Sequence, residues 1–325
     1  MEMIKLLAQI LFDLLIKNPV DTRFGRLMNW ALGNLRYLMI HLGDPLVYYD
    51  QYKTRLWLPL SHDLPLIQKI HPVYSTNVGR IANQVIRKYP SLKFVDIGAN
   101  IGDTVAILRC YSDFPILCIE GSQEYFRILE KNTAQLKDIY RNNSFVGNIN
   151  DSIDAVFIAN QGTARLTTGK NKIVVRKLGN ILEDFPGFEN SKMIKVDTDG
   201  MDAMILSGAM DVIDQAHPVL FFEYYPYLFE KHGDDGLSLF IDLKKTGYKT
   251  IIVYDNYGDY LLSFLLDDIE ILEDLRLYCL GGKSVKYYDM CVFHAEDSDL
   301  AQTIRLDELS FFYSVRGEKD FGYHS

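Results

Sequence analysis

Basic clusters, paired cysteines and long apolar runs are all scarce in this sequence of 325 residues, and each absence argues against a class of protein. The 34 lysines and arginines face 43 acidic residues, so the net charge is −9, and no basic cluster interrupts this excess. Binding to a phosphate backbone relies on such clusters, so we expect no nucleic-acid partner. The four cysteines lack C-x-x-C spacing, and no set of histidines and acids has metal-ligand spacing. The sequence therefore predicts reduced thiols, a cytoplasmic location and no metal.

The first apolar segment, residues 1–16, is interrupted by Glu2, Lys5 and Asp13. It falls short of the ~20 apolar residues that a membrane span requires, and no small-residue cleavage site follows it. Its leucines and isoleucines recur with helical spacing, which predicts a helix that packs on its own domain or on a second subunit. We therefore expect no stable membrane insertion. Peripheral membrane contact through the apolar face stays open, although no basic face supports it, and a homo-oligomer stays open as well.

From residue 92 onward, strand-like and helix-like patterns alternate, which is typical of a parallel sheet with helices on both faces. The predicted strands are 92–97, 116–120, 144–148, 193–196, 219–222, 250–254 and 290–294. The predicted helices are 104–111, 123–136, 201–207 and 237–246. Residues 154–183 are less regular and are predicted to form an inserted meander of short strands.

This pattern predicts an α/β fold, a doubly wound, seven-stranded and mostly parallel sheet with an N-terminal helical extension. Residues 1–90 are the expected helical and β extension, and residues 91–325 are the expected main domain. No repeat, low-complexity segment or linker rich in proline and serine divides the chain further.

The densest motif is KFVDIGANIG at residues 93–102, an apolar strand that runs into a small-residue turn and then a helix. Gly98 and Gly102 permit the sharp turn and a close approach of a ligand to the backbone. Such turns also bind dinucleotides, but Asp96 would oppose a pyrophosphate, and Asn100 replaces the middle glycine of G-x-G-x-x-G. A carboxylate in this place can orient the ammonium of a methionyl group. The turn therefore favours S-adenosylmethionine over NAD, with these four residues as cofactor-binding candidates.

Two further residues extend this candidate site toward an adenosyl group. Glu120 ends the second predicted strand, 22 residues after Gly98, where a carboxylate can accept hydrogen bonds from both ribose hydroxyls. Asn148 lies near the end of the third predicted strand and is a candidate contact for the adenine edge. Asn and Asp are also common in turns that bind no ligand, so the loop that contains Asn148 is explained equally well without a cofactor.

A second dense motif, KMIKVDTDGMD at residues 192–202, places acidic residues directly after a predicted central strand. Asp197 and Asp199 lie at the strand's carboxyl end, where open α/β sheets bind ligands, and Glu223 ends the next strand. Acidic residues at the start of a helix can also do no more than complement the helix dipole. Asp197, Asp199 and Glu223 are the candidate catalytic bases, with His232 behind them.

Residues 94–225 resemble the FkbM-type methyltransferase family, and the rest of the chain resembles it more loosely. VDIGANIGD at residues 95–103 is similar to the family's opening motif, and IKVDTDGMD followed by ILSGA within residues 194–209 is similar to its second motif. PVLFFE at residues 218–223 is similar to the strand that follows. The resemblance implies a Rossmann-like class I methyltransferase that uses S-adenosylmethionine. In one departure from the family pattern, Asp199 and Asp202 stand where glutamates are usual.

The resemblance also implies methylation of a hydroxyl group on a sugar, glycan or natural product. An alcohol is a poor nucleophile, so a positioned base should accept its proton in the transition state. The two shortened acids favour an alternative, a catalytically weak or inactive binding protein that keeps the fold. A third hypothesis, suggested by the glycine-rich turn, is a nicotinamide oxidoreductase. The acceptor itself is not identified by the sequence, beyond a small molecule or a glycan.

Overall fold

The computed structural model describes residues 2–19, 22–160, 163–282 and 287–316. Two helices and an antiparallel hairpin open the chain, and two more helices lead into the main sheet. These elements are α1 (Glu2–Lys17), α2 (Arg23–His41), β1 (Leu46–Gln51), β2 (Thr54–Pro59), α3 (Leu64–Ile70) and α4 (Asn77–Lys88). Among the residues described, no helix combines the length and the apolar character that crossing a bilayer requires.

The remaining elements alternate between strands and helices through most of the chain. In chain order they are β3 (Phe94–Ile97), α5 (Asp103–Leu108), β4 (Ile116–Ile119), α6 (Gln123–Thr133), β5 (Ile139–Asn142), β6 (Phe145–Val146), β7 (Asp151–Asn160), β8 (Thr163–Thr168), β9 (Asn171–Arg176), α7 (Leu178–Leu182), β10 (Met193–Val196), α8 (Asp202–Ser207), α9 (Met210–Ala216), β11 (Val219–Tyr224), α10 (Pro226–Lys231), α11 (Ser238–Lys245), β12 (Tyr248–Tyr254), β13 (Tyr260–Leu265), α12 (Ile269–Gly281), β14 (Tyr288–His294) and α13 (Ser298–Arg316).

The main sheet has eight strands in the order β13-β12-β14-β11-β10-β3-β4-β5. Strands β11, β10, β3, β4 and β5 are parallel, whereas β14 runs antiparallel between β11 and β12, and β13 is antiparallel at the edge. The chain proceeds outward in one direction from β3 to β5 and in the other from β10 to β11. The strand order therefore reverses between β3 and β10, which is the point where open α/β sheets form a ligand crevice.

The predicted doubly wound, mostly parallel α/β fold is confirmed, since apolar clusters cover both faces of this sheet. Two details of the strand assignment differ from the prediction. An eighth strand, β13, is added at the edge beside β12. The strand predicted at 144–148 was wrong as a member of the main sheet, because Ile139–Asn142 takes that place beside β4.

The physical reason for the misplaced strand is the exposure of the sheet's edge. Strand β5 is an edge strand in which Tyr140 is exposed and its neighbours are only partly buried, so it has no continuous apolar run. The more apolar Phe145–Val146 instead pairs with β9 in a separate four-stranded sheet of order β6-β9-β7-β8. The strands predicted at 156–158, 164–167 and 173–175 lie within β7, β8 and β9 of that sheet.

The central strands β3 and β10 are buried along their whole length, with the sequences FVDI and MIKV. Strands that are covered on both faces normally contain apolar side chains throughout. Asp96 and Lys195 break this rule, and they stand directly opposite each other in the pairing of the two strands. Buried charges are costly unless they are paired, and these two residues form an ion pair between the strands that flank the crevice.

The N-terminal elements share a core with the helices that flank the cofactor turn. Leu11 and Phe12 of α1 and Leu58 of β2 lie in one buried cluster with Ile101 of the turn and Tyr125 of α6. Burial of apolar side chains from both segments stabilises their association. The extension therefore packs against the turn after β3 and against α6, which follows β4.

Helix α13 is attached to α4 by a buried ion pair, and this pair gives the first prediction. Arg80 holds both carboxylate oxygens of Glu308, with Nε and Nη2 each 2.7 Å from an oxygen. Arg80→Met leaves the Glu308 carboxylate buried without its partner, so the free energy of unfolding in urea should fall by about 3 to 5 kcal/mol. The matched control is Arg55→Met, which breaks the exposed bidentate pair with Asp50 and should change stability little. Equal losses in the two variants would contradict this account.

Candidate active site

The turn after β3 has an unusual backbone that only small or polar residues adopt readily. Gly98, Asn100 and Gly102 have φ angles of +80°, +48° and +86°. A Cβ atom on Gly98 would lie 1.9 Å from the carbonyl oxygen of Asp197, at the end of β10. Glycine is therefore required at this position because two loops meet there, in addition to any approach by a ligand.

The N–H groups of this turn are almost all used within the protein. Gly98 and Ala99 both donate to the carbonyl of Ile119, and Gly102 donates to the carbonyl of Ala99. Asn100 donates to the Glu120 carboxylate at 2.9 Å. A pyrophosphate in a dinucleotide site needs free N–H groups at such a turn, so this geometry argues against NAD.

Glu120 is buried at the carboxyl end of β4, and its two oxygens are held from two sides, by the turn after β3 and by the start of α6. Oε2 accepts from Asn100 N, and Oε1 accepts from Ser122 N at 2.7 Å. Burial raises the pKa of Glu120 to about 7. Each oxygen retains acceptor capacity, so the carboxylate is fixed in the orientation that receives two neighbouring hydroxyl groups.

A narrow cavity beside Glu120 is bordered by the turn, by the β4 end and by the loop after β5. Phe145 and Val146 line it together with Glu120 and Gly98. Asn148 lies elsewhere, in a second cavity that it shares with His232. The apolar pair that follows β5 therefore occupies the place where sequence reasoning expected Asn148, because β6 leaves the main sheet at this point.

Lys195 joins the two motifs found in the sequence. Its Nζ lies 3.3 Å from Asp96 Oδ1 and 3.1 Å from Asp197 Oδ2. Burial alone would lower the pKa of Lys195, but Asp197, Asp96 and Asp103 together raise it well above its ordinary value. Burial raises the pKa of Asp96 to about 6 even beside this ammonium. Asp96 itself has no exposed surface, so it acts on the crevice through Lys195.

A larger cavity of about 430 Å³ opens on the other side of Lys195 and Asp197. It contains the predicted residues Gly98, Asn100, Asp197, Asp199 and Glu223. The extension contributes another part of its wall, with the residues His62, Asp63, Leu64, Ile67, Tyr74 and Ser75. The predicted catalytic candidates are therefore brought together, and the N-terminal segment encloses them.

Three carboxyl groups of this region differ in their surroundings. Asp197 is 47% exposed. It borders the narrow cavity, the larger cavity and a smaller recess beside β14, and neither Glu223 nor Asp289 borders all three. Glu223 is partly buried, and burial together with Asp197 raises its pKa well above its usual range. Asp289 lies opposite Glu223 in the pairing of β11 and β14, and burial and Asp197 raise its pKa to about 8.

Asp202 has a structural role in the second motif. Its carboxylate accepts from the Thr198 hydroxyl at 3.0 Å and from Gly200 N at 3.3 Å, inside the turn that starts α8. It has no exposed surface and lies outside the cavities that Asp197 borders. The shorter side chain at this position is therefore used to close a turn.

Sequence reasoning missed several residues of the site, of which Lys195 is the most important. A lysine in an apolar strand of four residues, two positions before Asp197, was an available signal, because a buried lysine needs a partner. His62, Tyr74 and Tyr287 gave no comparable signal, since they lie in loops far apart in the sequence. Burial lowers the pKa of His62 to about 4, so this ring is neutral in the wall of the cavity.

A separate group of side chains of the types that bind metals lies at the end of the sheet opposite the crevice, beside the amino end of β11. Donor atoms of His217, His294 and Glu296 lie within 4.8 Å of one another, and the two imidazole rings stack at 3.8 Å. Glu296 N donates to His294 Nδ1, so that nitrogen is already engaged. His217 follows α9 at the amino end of β11, away from the crevice.

Comparison with known proteins agrees with this geometry. A model of the methyltransferase FkbM domain matches residues 96–250, which contain both motifs and Glu120. Residues 96–250 of the chain form an FkbM methyltransferase domain. Its cofactor is S-adenosylmethionine. No curated protein sequence matches the chain.

Solved structures similar to this methyltransferase share little sequence with it. The methyltransferase FkbM from Methylobacillus flagellatus KT is 16% identical, with 78% of this chain and 58% of that chain covered and a TM-score of 0.36. M. jannaschii TYW2 in complex with AdoMet is 12% identical, with 77% and 86% covered and a TM-score of 0.38. The N-methyltransferase NodS from Bradyrhizobium japonicum WM9 is 10% identical, with 71% and 98% covered and a TM-score of 0.39.

The narrow cavity fits the adenosyl part of this cofactor. Glu120 would hold the ribose hydroxyls, and Phe145 and Val146 would flank the adenine. Asp96 Oδ2 is a buried oxygen without a hydrogen-bond partner among the described residues, which a bound water or ammonium can supply. S-adenosylmethionine supplies an electrophilic methyl group, and the protein's task is to hold it beside an acceptor.

Cofactor affinity should depend on pH through Glu120. Ribose hydroxyls donate to the ionised carboxylate, and a pKa of about 7 leaves this group mostly neutral near pH 6 and mostly ionised near pH 8. Calorimetry should therefore give a dissociation constant up to about tenfold higher near pH 6 than near pH 8. Glu120→Gln should weaken binding by about 1 to 3 kcal/mol and remove this dependence. A pH dependence that persists unchanged in the variant would exclude Glu120 as its source.

The buried charge of Lys195 should matter for folding as well as for the site. Lys195→Met leaves Asp96 buried without a counter-charge, so the free energy of unfolding in urea should fall by about 3 to 5 kcal/mol. Adding Asp96→Asn removes the orphaned charge, so the double variant should recover part of the loss. A double variant that is less stable than Lys195→Met would contradict this pairing.

Proposed function

We propose that this methyltransferase transfers a methyl group to a hydroxyl of a neutral sugar, glycan or related natural product, and that Asp197 is the base. The observation that carries the proposal is the position of Asp197, which borders the narrow cofactor cavity, the larger cavity and the recess beside β14, whereas Asp199 borders only the first two. A group that receives a proton during transfer must reach the oxygen that attacks the methyl carbon. Asp197 lies where such an oxygen would meet the cofactor.

The charge state of the neighbouring acids supports the same assignment. A pKa of about 8 keeps Asp289 mostly protonated at neutral pH, and burial and Asp197 shift the pKa of Glu223 in the same direction, so both groups are favoured as hydrogen-bond donors over proton acceptors. The Lys195 ammonium lies 3.1 Å from Asp197 Oδ2 and holds that side chain in one orientation. A carboxylate beside acids whose pKa values are raised is an arrangement suited to a single proton transfer.

The lining of the larger cavity supports a polyhydroxylated acceptor. Tyr74, Tyr225 and Tyr287 border it, and the rings of Tyr225 and Tyr287 lie 5.6 Å apart. Aromatic faces with a few convergent polar groups are typical of sites for small organic ligands. Carboxyl groups outnumber the single lysine in this lining, which disfavours acceptors that carry phosphate or carboxylate.

Two further features support the cellular setting and the role of the extension. All four cysteines are free, and three of them are buried, which supports a reducing compartment such as the cytoplasm. His62 and Tyr74 come from the segment that precedes the matched domain, and both line the larger cavity. We propose that residues 1–90 complete the acceptor site of the domain formed by residues 91–325.

The test measures release of S-adenosylhomocysteine with a panel of neutral sugars, glycosides and phosphorylated sugars. With the best acceptor, Asp197→Asn should lower kcat by ~100-fold or more, because it keeps the shape and removes the base. The cofactor dissociation constant should stay within a few fold of the original value. Asp199→Asn is the matched control on the same rim, and its kcat should fall less.

Each other outcome has a defined meaning. Turnover that is greatest with phosphorylated acceptors would contradict the charge argument, and a larger loss in Asp199→Asn would move the base to that residue. Cofactor binding without turnover on any acceptor would favour a catalytically inactive binding protein. Thermal stabilisation by NAD but not by S-adenosylmethionine would favour an oxidoreductase.

A further inference from the structure

Exposed apolar side chains are concentrated in the first two helices. Across the described residues, 30 large apolar side chains are exposed, and 14 of them belong to residues 3–42. They are Met3, Ile4, Leu6, Leu7, Ile10, Leu14, Phe24, Leu27, Met28, Trp30, Leu35, Tyr37, Leu38 and Leu42. A concentration of this kind marks an interaction surface, whereas single exposed apolar residues are ordinary.

Helix α2 arranges its share of these residues in one stripe. Phe24, Leu27, Leu35, Leu38 and Leu42 recur at helical spacing, so they lie along the same side of the helix. Only Gly25 of this helix of 19 residues is buried, so most of α2 has no cover within the chain. A helix so little packed gains little stability from tertiary contacts, which indicates a partner outside the described chain.

A second stripe lies directly beside the first. It consists of residues that recur with helical spacing on the neighbouring side of the helix, namely Arg23, Arg26, Trp30, Tyr37 and His41. Trp30 and Tyr37 are 69% and 66% exposed. Helix α2 contains no aspartate or glutamate. The exposed surface therefore combines an apolar stripe with a basic and aromatic border.

The charge of this segment differs from that of the rest of the chain. Residues 1–42 contain five lysines and arginines against three acidic residues, although the whole chain has a net charge of −9. One of the five, Arg36, is paired with Asp63, so it adds no charge to the basic border. An anionic surface would attract this end and repel the remainder, which would orient the protein. Helix α1 has no basic face of its own, and the neighbouring helix α2 provides Arg23 and Arg26.

We propose that α1 and α2 dock on the surface of an anionic lipid bilayer, with the apolar stripe of α2 in the boundary between headgroups and acyl chains. Amphipathic helices that lie in this boundary carry leucine and aromatic residues on one face and lysine or arginine beside them. Tryptophan and tyrosine are enriched at the same depth. The helices lie on the bilayer and do not span it.

A second copy of the chain fits this surface less well than a bilayer does. A symmetric dimer places the same patch on both sides of the interface, so the basic border of one copy would face that of the other. Like charges in such a position oppose association, and α2 offers no acidic side chain to pair with them.

The experiment compares two leucines of nearly equal exposure, both on helices of 19 residues. Leu38 on α2 is 54% exposed, and Leu306 on α13 is 53% exposed. The full chain is floated with vesicles of phosphatidylcholine alone and with vesicles of equal parts phosphatidylcholine and phosphatidylglycerol. We expect association with the anionic vesicles that weakens as salt is added. Leu38→Glu should lower the vesicle partition coefficient by ~10-fold or more, whereas Leu306→Glu should not change it.

Three results would overturn the proposal. The first is no association of the full chain with anionic vesicles at low salt. The second is an equal effect of the two glutamate variants. The third is a dimer in solution that Leu38→Glu dissociates while vesicle association is absent, which would assign the surface to a second copy. Circular dichroism of both variants checks that each keeps the helical content of the original protein.

Discussion

The structure of the crevice depends on one buried ammonium group. Lys195 lies between Asp96 on the neighbouring strand and Asp197 at the end of its own strand, at 3.3 and 3.1 Å. These two strands meet where the strand order of the sheet reverses. The lysine neutralises a carboxylate that has no exposure and at the same time directs a second carboxylate into the crevice. The strand that leads into the glycine-rich turn and the acidic motif after β10 are thus joined by one ion-pair network.

The backbone reinforces this connection between the two motifs. The Asp197 carbonyl lies so close to Gly98 that a side chain there would overlap with it, and Glu120 holds the middle of the same turn through Asn100. A change in either loop would therefore displace the other. The N–H groups that hold the turn together are no longer available to a pyrophosphate, so the rigid turn also selects the type of cofactor.

The sequence allowed much of this arrangement to be predicted, but for unequal reasons. Strands β3, β10 and β11 are short apolar runs that end in acids, and the observed positions of Asp197, Asp199 and Glu223 at one edge follow from parallel pairing. Strand β5 was missed because an edge strand with an exposed Tyr140 has no apolar run to detect. Asn148, the predicted adenine contact, lies in a second cavity, whereas Phe145 and Val146 line the cavity beside Glu120. The wall contributed by His62 and Tyr74 depends on how a distant segment packs, and no local pattern encodes such packing.

The acids around Asp197 also explain why one site can contain so many carboxyl groups. Each added carboxyl in a partly buried cavity raises the pKa of its neighbours, because two negative charges at short range are unfavourable. Glu223, Asp289 and Asp202 all show raised pKa values to which Asp197 contributes. Burial is the largest cause of these shifts and Asp197 adds to it, so the protonated form of these acids is favoured, and a protonated carboxyl group is a hydrogen-bond donor. A neutral acceptor with several hydroxyl groups meets both donors and an acceptor in this lining, whereas an anionic acceptor would have to approach the remaining charge with only Lys195 to compensate it.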